Sequence, residues 1–256
     1  MSHEAPPEPT PGATDSAPTV VGQPGSPVGR RVVLGMLGLA ALGVAAGAPI
    51  SRGFERVLGP LQNNDPTGLS GLIPGAGGWR YYSVTASEPA VSSDSFSLAV
   101  SGLVDHPLEL SFADLAGLPQ TTVTHDFQCV TGWRVQDVTW RGVQVRDLLS
   151  LAGLAPTATS LRFTSSDGAY TESLTLDQVR TDDVLVATSM DDAPVTRAHG
   201  GPVRLYVAPM YGYKSLKWLK SIDVTDSVQP GYWEQRGYDV DAYVGRSNGR
   251  SDPATA

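Results

Sequence analysis

Apolar and polar residues alternate along several short segments of this chain, a pattern typical of half-buried β-strands. The clearest case is Phe96-Ser97-Leu98-Ala99-Val100, which keeps a strict period of two before a turn at Gly102. The same pattern predicts strands at 80–85, 121–124, 160–164 and 184–188. Because each segment is only a few residues long, the pattern favours a core built from many short strands.

Helical signals are fewer and shorter. Ser111 followed by Asp114 forms a capping-box pattern that predicts a short helix ending by Gly117. A second short helix is predicted at 175–179, and a third where Val145, Leu148 and Leu149 precede Gly153. We also expect the chain to turn at Gly142 before this third helix. The sequence therefore predicts a single α+β domain, mixed but rich in strands, over residues 79–245.

The N-terminal third has a different composition. Residues 1–29 are mostly Pro, Gly, Ser, Thr and Ala, which predicts a disordered tail. Arg30-Arg31 and the uncharged apolar run 32–48 resemble a twin-arginine export signal or a membrane anchor. We expect a linker at 49–78 and a flexible tail at 246–256. Ala46-Gly47-Ala48 resembles a cleavage site, but Pro49 would hinder the peptidase, so a retained anchor is favoured.

Charge and cysteine content exclude several classes of protein. The 256 residues carry a formal net charge of −8, which argues against binding to nucleic acid. One cysteine permits no intrachain disulfide, and the four histidines show no spacing typical of a zinc site. A single thiol in an exported protein is either buried as a small apolar group or used chemically.

The sequence around Cys129 favours chemical use. Cys129 is followed by Gly132-Trp133, so the backbone turns tightly beside a large aromatic ring. A soft thiolate on a loop between strands, surrounded by aromatic residues, suits a soft metal ion. The other interpretation at this point, a buried structural thiol, remains open.

A second stretch with chemical potential runs from His199 to Leu219. Its glycines allow a close approach to a ligand, and Arg204, Lys217 and His199 could form a set of donors for a phosphate. Lys214 and Lys217 are three residues apart and could lie on one face of a tight turn. Solvated surface cations on an ordinary strand are the alternative.

Both stretches together resemble the sulfite-oxidase-type molybdopterin oxidoreductases. Cys129-Val130-Thr131-Gly132-Trp133 and Trp140-Arg141-Gly142-Val143 match the segment of the metal-binding cysteine, and 199–218 matches the pterin-binding segment. The resemblance covers about residues 80–240. Trp133 stands where the vertebrate-type enzymes begin an arginine run, so the sequence is more similar to the exported bacterial branch, which includes methionine-sulfoxide reductase catalytic subunits.

The resemblance implies specific roles for residues of this chain. Cys129 would ligate molybdenum and be the catalytic residue, with molybdenum–molybdopterin as the cofactor and no haem in this chain. The residues expected to contact the cofactor are His199, Arg204, Ser215, Leu216 through its backbone, Lys217, Thr164, Tyr81, Tyr82 and Ser83.

The implied function is two-electron transfer of an oxygen atom to or from a small-molecule substrate. Electrons would come from a membrane partner, either quinone-linked or a haem protein. We expect a monomeric catalytic domain, exported by the twin-arginine route and either anchored on the outer face of the membrane or periplasmic or extracellular. A non-catalytic binding module that kept the fold without the metal, and a cofactor-free anion binder, are the alternatives from other classes.

The direction of the reaction is predicted from charge. Arg204 and Lys217 would serve the cofactor, which leaves Arg134, Arg141 and Lys214 as possible substrate partners. An aromatic residue at Trp133 makes the wall near the metal less basic than a dianion requires. The sequence therefore favours reduction of a neutral S-oxide or N-oxide over oxidation of sulfite.

Overall fold

A computed structural model describes residues 78–248. The predictions for 1–29, 30–48, 49–77 and 249–256 lie outside these residues. Within residues 78–248, no helix combines the length and the apolar composition needed to cross a membrane.

The first of two sheets joins distant parts of the chain. Its five strands are β1 (Ser97–Gly102), β2 (Leu108–Ser111), β5 (Ser160–Ser165), β6 (Thr171–Thr175) and β10 (Leu219–Thr225). They lie in the order β2-β1-β10-β5-β6, and every neighbouring pair is antiparallel except β1 with β10. Because β1 and β10 lie near opposite ends of the described region, their pairing closes the domain.

The second sheet carries both sequence motifs. Its strands are β3 (Thr121–Gln128), β4 (Arg134–Gln144), β7 (Val184–Met190), β8 (Ala193–Pro194) and β9 (Arg204–Val207). They lie in the order β3-β4-β7-β8, where β8 pairs with the C-terminal end of β7 and β9 pairs with its N-terminal half. Cys129 directly follows β3, and β9 begins at Arg204, so this sheet brings the two motifs into one region.

The helices are short and begin where the capping signals predict. Ser111 and Asp114 form a complete capping box at the first helix, and Thr175 and Gln178 form one at the third. Gly153 ends the second helix with a positive φ of 68°. The helices are α1 (Phe112–Gly117), α2 (Val145–Ala152) and α3 (Leu176–Val179), with short 3-10 helices at Ser93–Ser95, Gly212–Lys214 and Glu234–Arg236.

The buried apolar residues form two clusters. The larger one includes Leu98 and Phe163 of the first sheet, Val186 of the second sheet and Leu148 of α2, so both sheets and this helix contribute to it. The smaller one is rich in aromatic residues, including Trp79, Phe127 and Trp140. The predicted strand-rich α+β fold is confirmed, and the smaller cluster forms one side of the candidate site.

Two local predictions are wrong. Residues 80–85 form no strand; this segment lines a cavity instead of pairing with a neighbour, and Tyr81 is hydrogen-bonded to His199. Gly142 is not a turn, because β4 continues through it with a shift in register between Arg141 and Gly142. A Cβ atom at Gly142 would lie 2.7 Å from the Cα of Ala187, so this glycine permits a close approach of β4 and β7.

This close approach makes a prediction about stability. Gly142→Ala should destabilise the fold by about 1–3 kcal/mol, because backbone atoms of β7 would have to move. Gly117→Ala is the matched control, since no atom lies within 4 Å of a Cβ built there. Denaturant unfolding of the two variants checks the prediction, and equal effects would contradict it.

Candidate active site

A tight turn between β3 and β4 fixes the position of Cys129. The Cys129 amide donates to the carbonyl of Trp133 at 2.9 Å, and the Gly132 amide donates to the carbonyl of Cys129 at 2.9 Å. Gly132 adopts a φ of 99°, a conformation that favours glycine. The Thr131 hydroxyl donates to the Cys129 Sγ at 3.2 Å. The thiol is therefore half-buried on a loop that its own backbone hydrogen bonds hold in place.

A cavity of about 420 Å³ opens beside this thiol. That volume lies within the range of roughly 300–1,000 Å³ typical of pockets for small molecules. Most residues predicted from the sequence to contact a cofactor line this cavity, although they come from four separate segments. The predicted residues in its lining are Tyr81, Tyr82, Ser83, Cys129, His199, Arg204, Ser215 and Lys217.

Two predicted cofactor residues do not line the cavity. Thr164 lies on β5, where it pairs with Thr171 and Ser221. Leu216 is buried, its amide donates to the carbonyl of Lys214, and its carbonyl accepts from the amide of Leu205. The backbone groups of Leu216 are thus engaged in holding the loop.

Arg204 is buried at the base of the cavity, with 3% of its surface exposed. Its Nη1 donates to the carbonyl of His199 and its Nη2 to the carbonyl of Ser215, each at 2.6 Å. The guanidinium also lies 4.9 Å from the ring centre of Trp140. Burial lowers the pKa of Arg204 to about 10, so the group stays charged at neutral pH. Arg204 therefore joins the two loops of the second motif and contributes a positive charge.

Lys217 adds a second positive charge, which is half-buried. Its Nζ donates to the carbonyl of Ala198 at 3.2 Å and lies 4.5 Å from the ring centre of Trp218. Burial, and then the charge of Arg204, lower the pKa of Lys217 to about 8. Gly200 makes room for this side chain, because a Cβ there would lie 2.6 Å from the Lys217 Cβ. No ion pair found in residues 78–248 includes either Arg204 or Lys217.

Aromatic side chains make up much of the remaining wall. The ring of Trp133 is stacked on Phe127 at 5.9 Å and on Tyr82 at 6.4 Å between ring centres. Trp79 meets His199 edge-on at 4.7 Å. Several lining residues come from distant segments and were assigned no role from the sequence, although residues 231–238 lie within the region of the resemblance. These residues include Trp79, Arg80, Phe127, Asp167, Tyr170, Tyr213, Tyr232, Trp233 and Tyr238.

The three cations considered as substrate partners do not line the cavity. Arg134 faces Asp126, with 3.4 Å between Nε and Oδ2. Arg141 is exposed on β4. Lys214 is fully buried between Glu172 and Glu234, so the prediction that Lys214 and Lys217 share a face is wrong. The exposed Arg80 lines the cavity instead.

Comparison with known proteins identifies the family. A family model described as oxidoreductase molybdopterin binding domain matches residues 85–233, which is more than half of the chain. The chain belongs to this family. The predictions of the family and of an oxidoreductase are therefore confirmed.

Relatives within the molybdopterin oxidoreductases include characterised enzymes. The chain is 38% identical to the uncharacterized oxidoreductase YuiH of Bacillus subtilis (strain 168), over 56% of this chain and 72% of that protein. It is 30% identical to sulfite oxidase of Arabidopsis thaliana, over 56% of this chain and 45% of that enzyme. It is 27% identical to the protein-methionine-sulfoxide reductase catalytic subunit MsrP of Campylobacter jejuni, over 56% of this chain and 53% of that subunit.

A solved structure supports the fold. The sulfane dehydrogenase SoxCD of Paracoccus pantotrophus matches with a TM-score of 0.51 and 24% identity. The match covers 56% of this chain and 41% of the SoxCD chain. This chain thus spans about half the length of several relatives that it matches.

The residues of the cavity fit a molybdopterin with its metal. Cys129 offers a soft sulfur ligand, and the positive charges of the buried Arg204 and the half-buried Lys217 suit the phosphate of the pterin. The indole N–H groups of Trp79 and Trp133 are buried without a partner in the described region, although both residues line the cavity. Unpaired donors of this kind are costly unless a ligand accepts from them.

The first prediction for the site concerns the metal ligand. The free energy of unfolding of Cys129→Ser should lie within about 1 kcal/mol of that of the parent, because the side chain is small and half-buried. Its molybdenum content should fall at least about tenfold, since a hydroxyl is a harder and weaker ligand than a thiolate. Thr131→Val, which removes only the hydrogen bond to Sγ, should keep its metal. A metal-replete serine variant would refute the assignment.

The second prediction concerns the charge of Lys217. An anion bound beside it favours the protonated amine, so cofactor retention should weaken as the pH rises through about 8. Cofactor retention by Lys217→Arg should weaken less over the same pH range, because the guanidinium group stays protonated. Pterin fluorescence in the filtrate of washed, loaded protein measures the release. Identical pH profiles would show that Lys217 does not face the phosphate.

Proposed function

We propose that this protein is a molybdenum–molybdopterin oxidoreductase that reduces a neutral S-oxide or N-oxide. When bound, the cofactor supplies two-electron chemistry and the exchange of an oxygen atom. Cys129 would hold the metal, while Arg204 and Lys217 would balance the charge of the pterin phosphate. The observation that carries the proposal is the aromatic wall beside Cys129.

The wall favours a neutral substrate because of what surrounds the thiol. Trp133 follows Cys129 in the same tight turn, and its ring is stacked against both Phe127 and Tyr82. The next residue along the chain, Arg134, is paired with Asp126. Moving a dianion from water into such surroundings is costly, whereas a sulfoxide can pack against rings and accept a few hydrogen bonds.

Several residues could orient and shield the substrate. Tyr81 and His199 are joined by a hydrogen bond of 2.9 Å, so their side chains are held together at the wall of the cavity. The Ser215 Oγ accepts from the Val207 amide at 3.0 Å, and that bond does not use the hydroxyl proton. Packed rings would exclude water from the reacting atoms.

The proposal includes a location and a partner. We propose export by the twin-arginine route, with the domain on the outer face of the membrane or released outside it. Electrons would reach the cavity from a quinone-linked or haem protein of the membrane. Arg30-Arg31 and the apolar run 32–48 support the export. The similarity to a protein named as a catalytic subunit supports a separate partner protein.

Sulfite oxidation is the second candidate, and one observation favours it. Arg80 lines the cavity and is exposed, so it could gather an anionic substrate. The 30% identity to a plant sulfite oxidase points the same way. A non-catalytic module is less consistent with the chain, because a scaffold does not require the thiol and the two cations Arg204 and Lys217 in one cavity.

Turnover in both directions separates these candidates. The loaded protein should reduce an aryl sulfoxide with reduced viologen faster than it oxidises sulfite with ferricyanide. Trp133→Leu should raise the KM for the sulfoxide up to about tenfold, because a ring contact is worth about 0.5–1.5 kcal/mol. Cys129→Ser provides the inactive control. Sulfite oxidation without sulfoxide turnover, lost again in Arg80→Gln, would establish the second candidate instead.

A further inference from the structure

Three charged side chains lie fully buried next to the cavity without lining it. The Lys214 Nζ donates to Glu172 Oε1 at 2.6 Å, to the Ser173 carbonyl at 2.7 Å, and to Glu234 Oε1. The exposed fractions of the Lys214, Glu172 and Glu234 side chains are 0%, 0% and 1%. None of these three residues has a role in the reaction described above.

The charges of this cluster do not balance. One ammonium and two ionised carboxylates would leave a net negative charge away from water, which is strongly unfavourable. A single extra proton on one carboxyl makes the cluster neutral. The three side chains of the cluster titrate together, but the hydrogen bonds indicate which carboxyl carries the extra proton.

The hydrogen bonds select Glu172 as the protonated member. Glu234 accepts through both oxygens, from Lys214 at Oε1 and from the Gly231 amide at Oε2, 2.5 Å away. Glu172 accepts only through Oε1, from Lys214 and from the Ser173 amide at 2.8 Å. Its Oε2 is buried and meets no donor in the described part of the chain. An ionised oxygen would require a donor there, whereas a protonated Oε2 is itself a donor, and the neighbouring Glu234 carboxylate can accept from it.

The groups that face Glu172 support this assignment. Lys214 and Tyr213 face it from the 3-10 helix Gly212–Lys214, Glu234 faces it from the C-terminal 3-10 helix, and Tyr170 precedes it on the same segment. Burial raises the pKa of Glu172 to about 8, the Lys214 charge opposes that rise, and the charge and hydrogen bond of Glu234 add to it. At neutral pH the carboxyl is therefore neutral.

We propose that Glu172 is held as a neutral acid and that the Glu172–Lys214–Glu234 cluster positions the cofactor-binding loop. Lys214 directly precedes Ser215, and Lys217 follows two residues later. Glu172 on β6 and Glu234 near the C-terminal end of the domain hold Lys214 from two sides. These three residues act through the loop and do not touch the substrate.

Infrared spectroscopy of the loaded, full-length protein tests the protonation. The difference spectrum between the parent and Glu172→Gln should show the C=O stretch of a protonated carboxyl at neutral pH. That signal should disappear as the pH rises through about 8. A merely structural glutamate would give no such pH profile, and the absence of the band at neutral pH would overturn the proposal.

Two isosteric variants test the positioning role. Glu172→Gln should keep its molybdenum, because an amide NH₂ fits at the oxygen that has no donor. Glu234→Gln should lose about tenfold or more in cofactor retention, because its NH₂ must face either Lys214 Nζ or the Gly231 amide. Asp177→Asn, in an exposed pair with Arg180, is the matched control and should retain cofactor as the parent does.

Equal loss of molybdenum in the two glutamine variants would refute the assigned roles, as would full retention in both. This part rests on the cofactor assignment, while the infrared band needs neither cofactor nor substrate. A protein with the band but without molybdenum would therefore count against the proposed function and leave the protonated Glu172 intact.

Discussion

The site depends on the hydrogen bonds that the buried guanidinium of Arg204 makes to two loops. The guanidinium donates to the carbonyls of His199 and Ser215, so the loops before and after β9 are held at one charged group. Its contacts with Trp140 and Phe127 connect those loops to the smaller aromatic cluster and hence to the β3–β4 hairpin that carries Cys129. Arg204 takes part in none of the ion pairs found in residues 78–248. A buried cation that is not paired with a carboxylate creates a positive potential that an anion can neutralise.

This arrangement gives Arg204 two roles at once. The sequence suggests a residue that reaches toward a phosphate, but the structure shows its nitrogens engaged with backbone carbonyls. The charge still acts on the cavity, because the pKa of Lys217 is lowered first by burial and then by the charge of Arg204. Lys217 can then make the direct contact, while Arg204 holds the loops and supplies the field. Binding of an anion here would thus depend on the charges of Arg204 and Lys217 together and not on a single exposed side chain.

Local signals predicted much of the fold. Ser111 marked a helix start because capping depends on adjacent residues, and Gly153 marked a helix end for the same reason. A short helix was also predicted at 175–179, although the capping box of Thr175 and Gln178 was found only in the structure. Gly142 was misjudged, because its requirement comes from the approach of β7 and cannot be read from neighbouring residues. The segment 80–85 has a strand pattern, but residues 80–84 all line the cavity and form no strand.

The site was predictable where two motifs carried it and unpredictable where distant segments meet. Cys129, His199 and Lys217 could be selected from their surroundings in the sequence, and the structure brings them to one cavity. Lys214 could not be separated from Lys217, because Glu172 and Glu234 pair with it from remote positions. Thr164 was predicted from the family resemblance alone, and it lies on β5 without lining the cavity.

The central claim is that the thiolate of Cys129 and a pterin hold molybdenum in this cavity. X-ray absorption at the molybdenum edge of the loaded protein tests it most directly, because the method counts sulfur neighbours of the metal. The account predicts one more sulfur ligand in the parent than in Cys129→Ser, beyond those that the pterin supplies. The same sulfur count in both proteins, or no molybdenum in the parent, would contradict it.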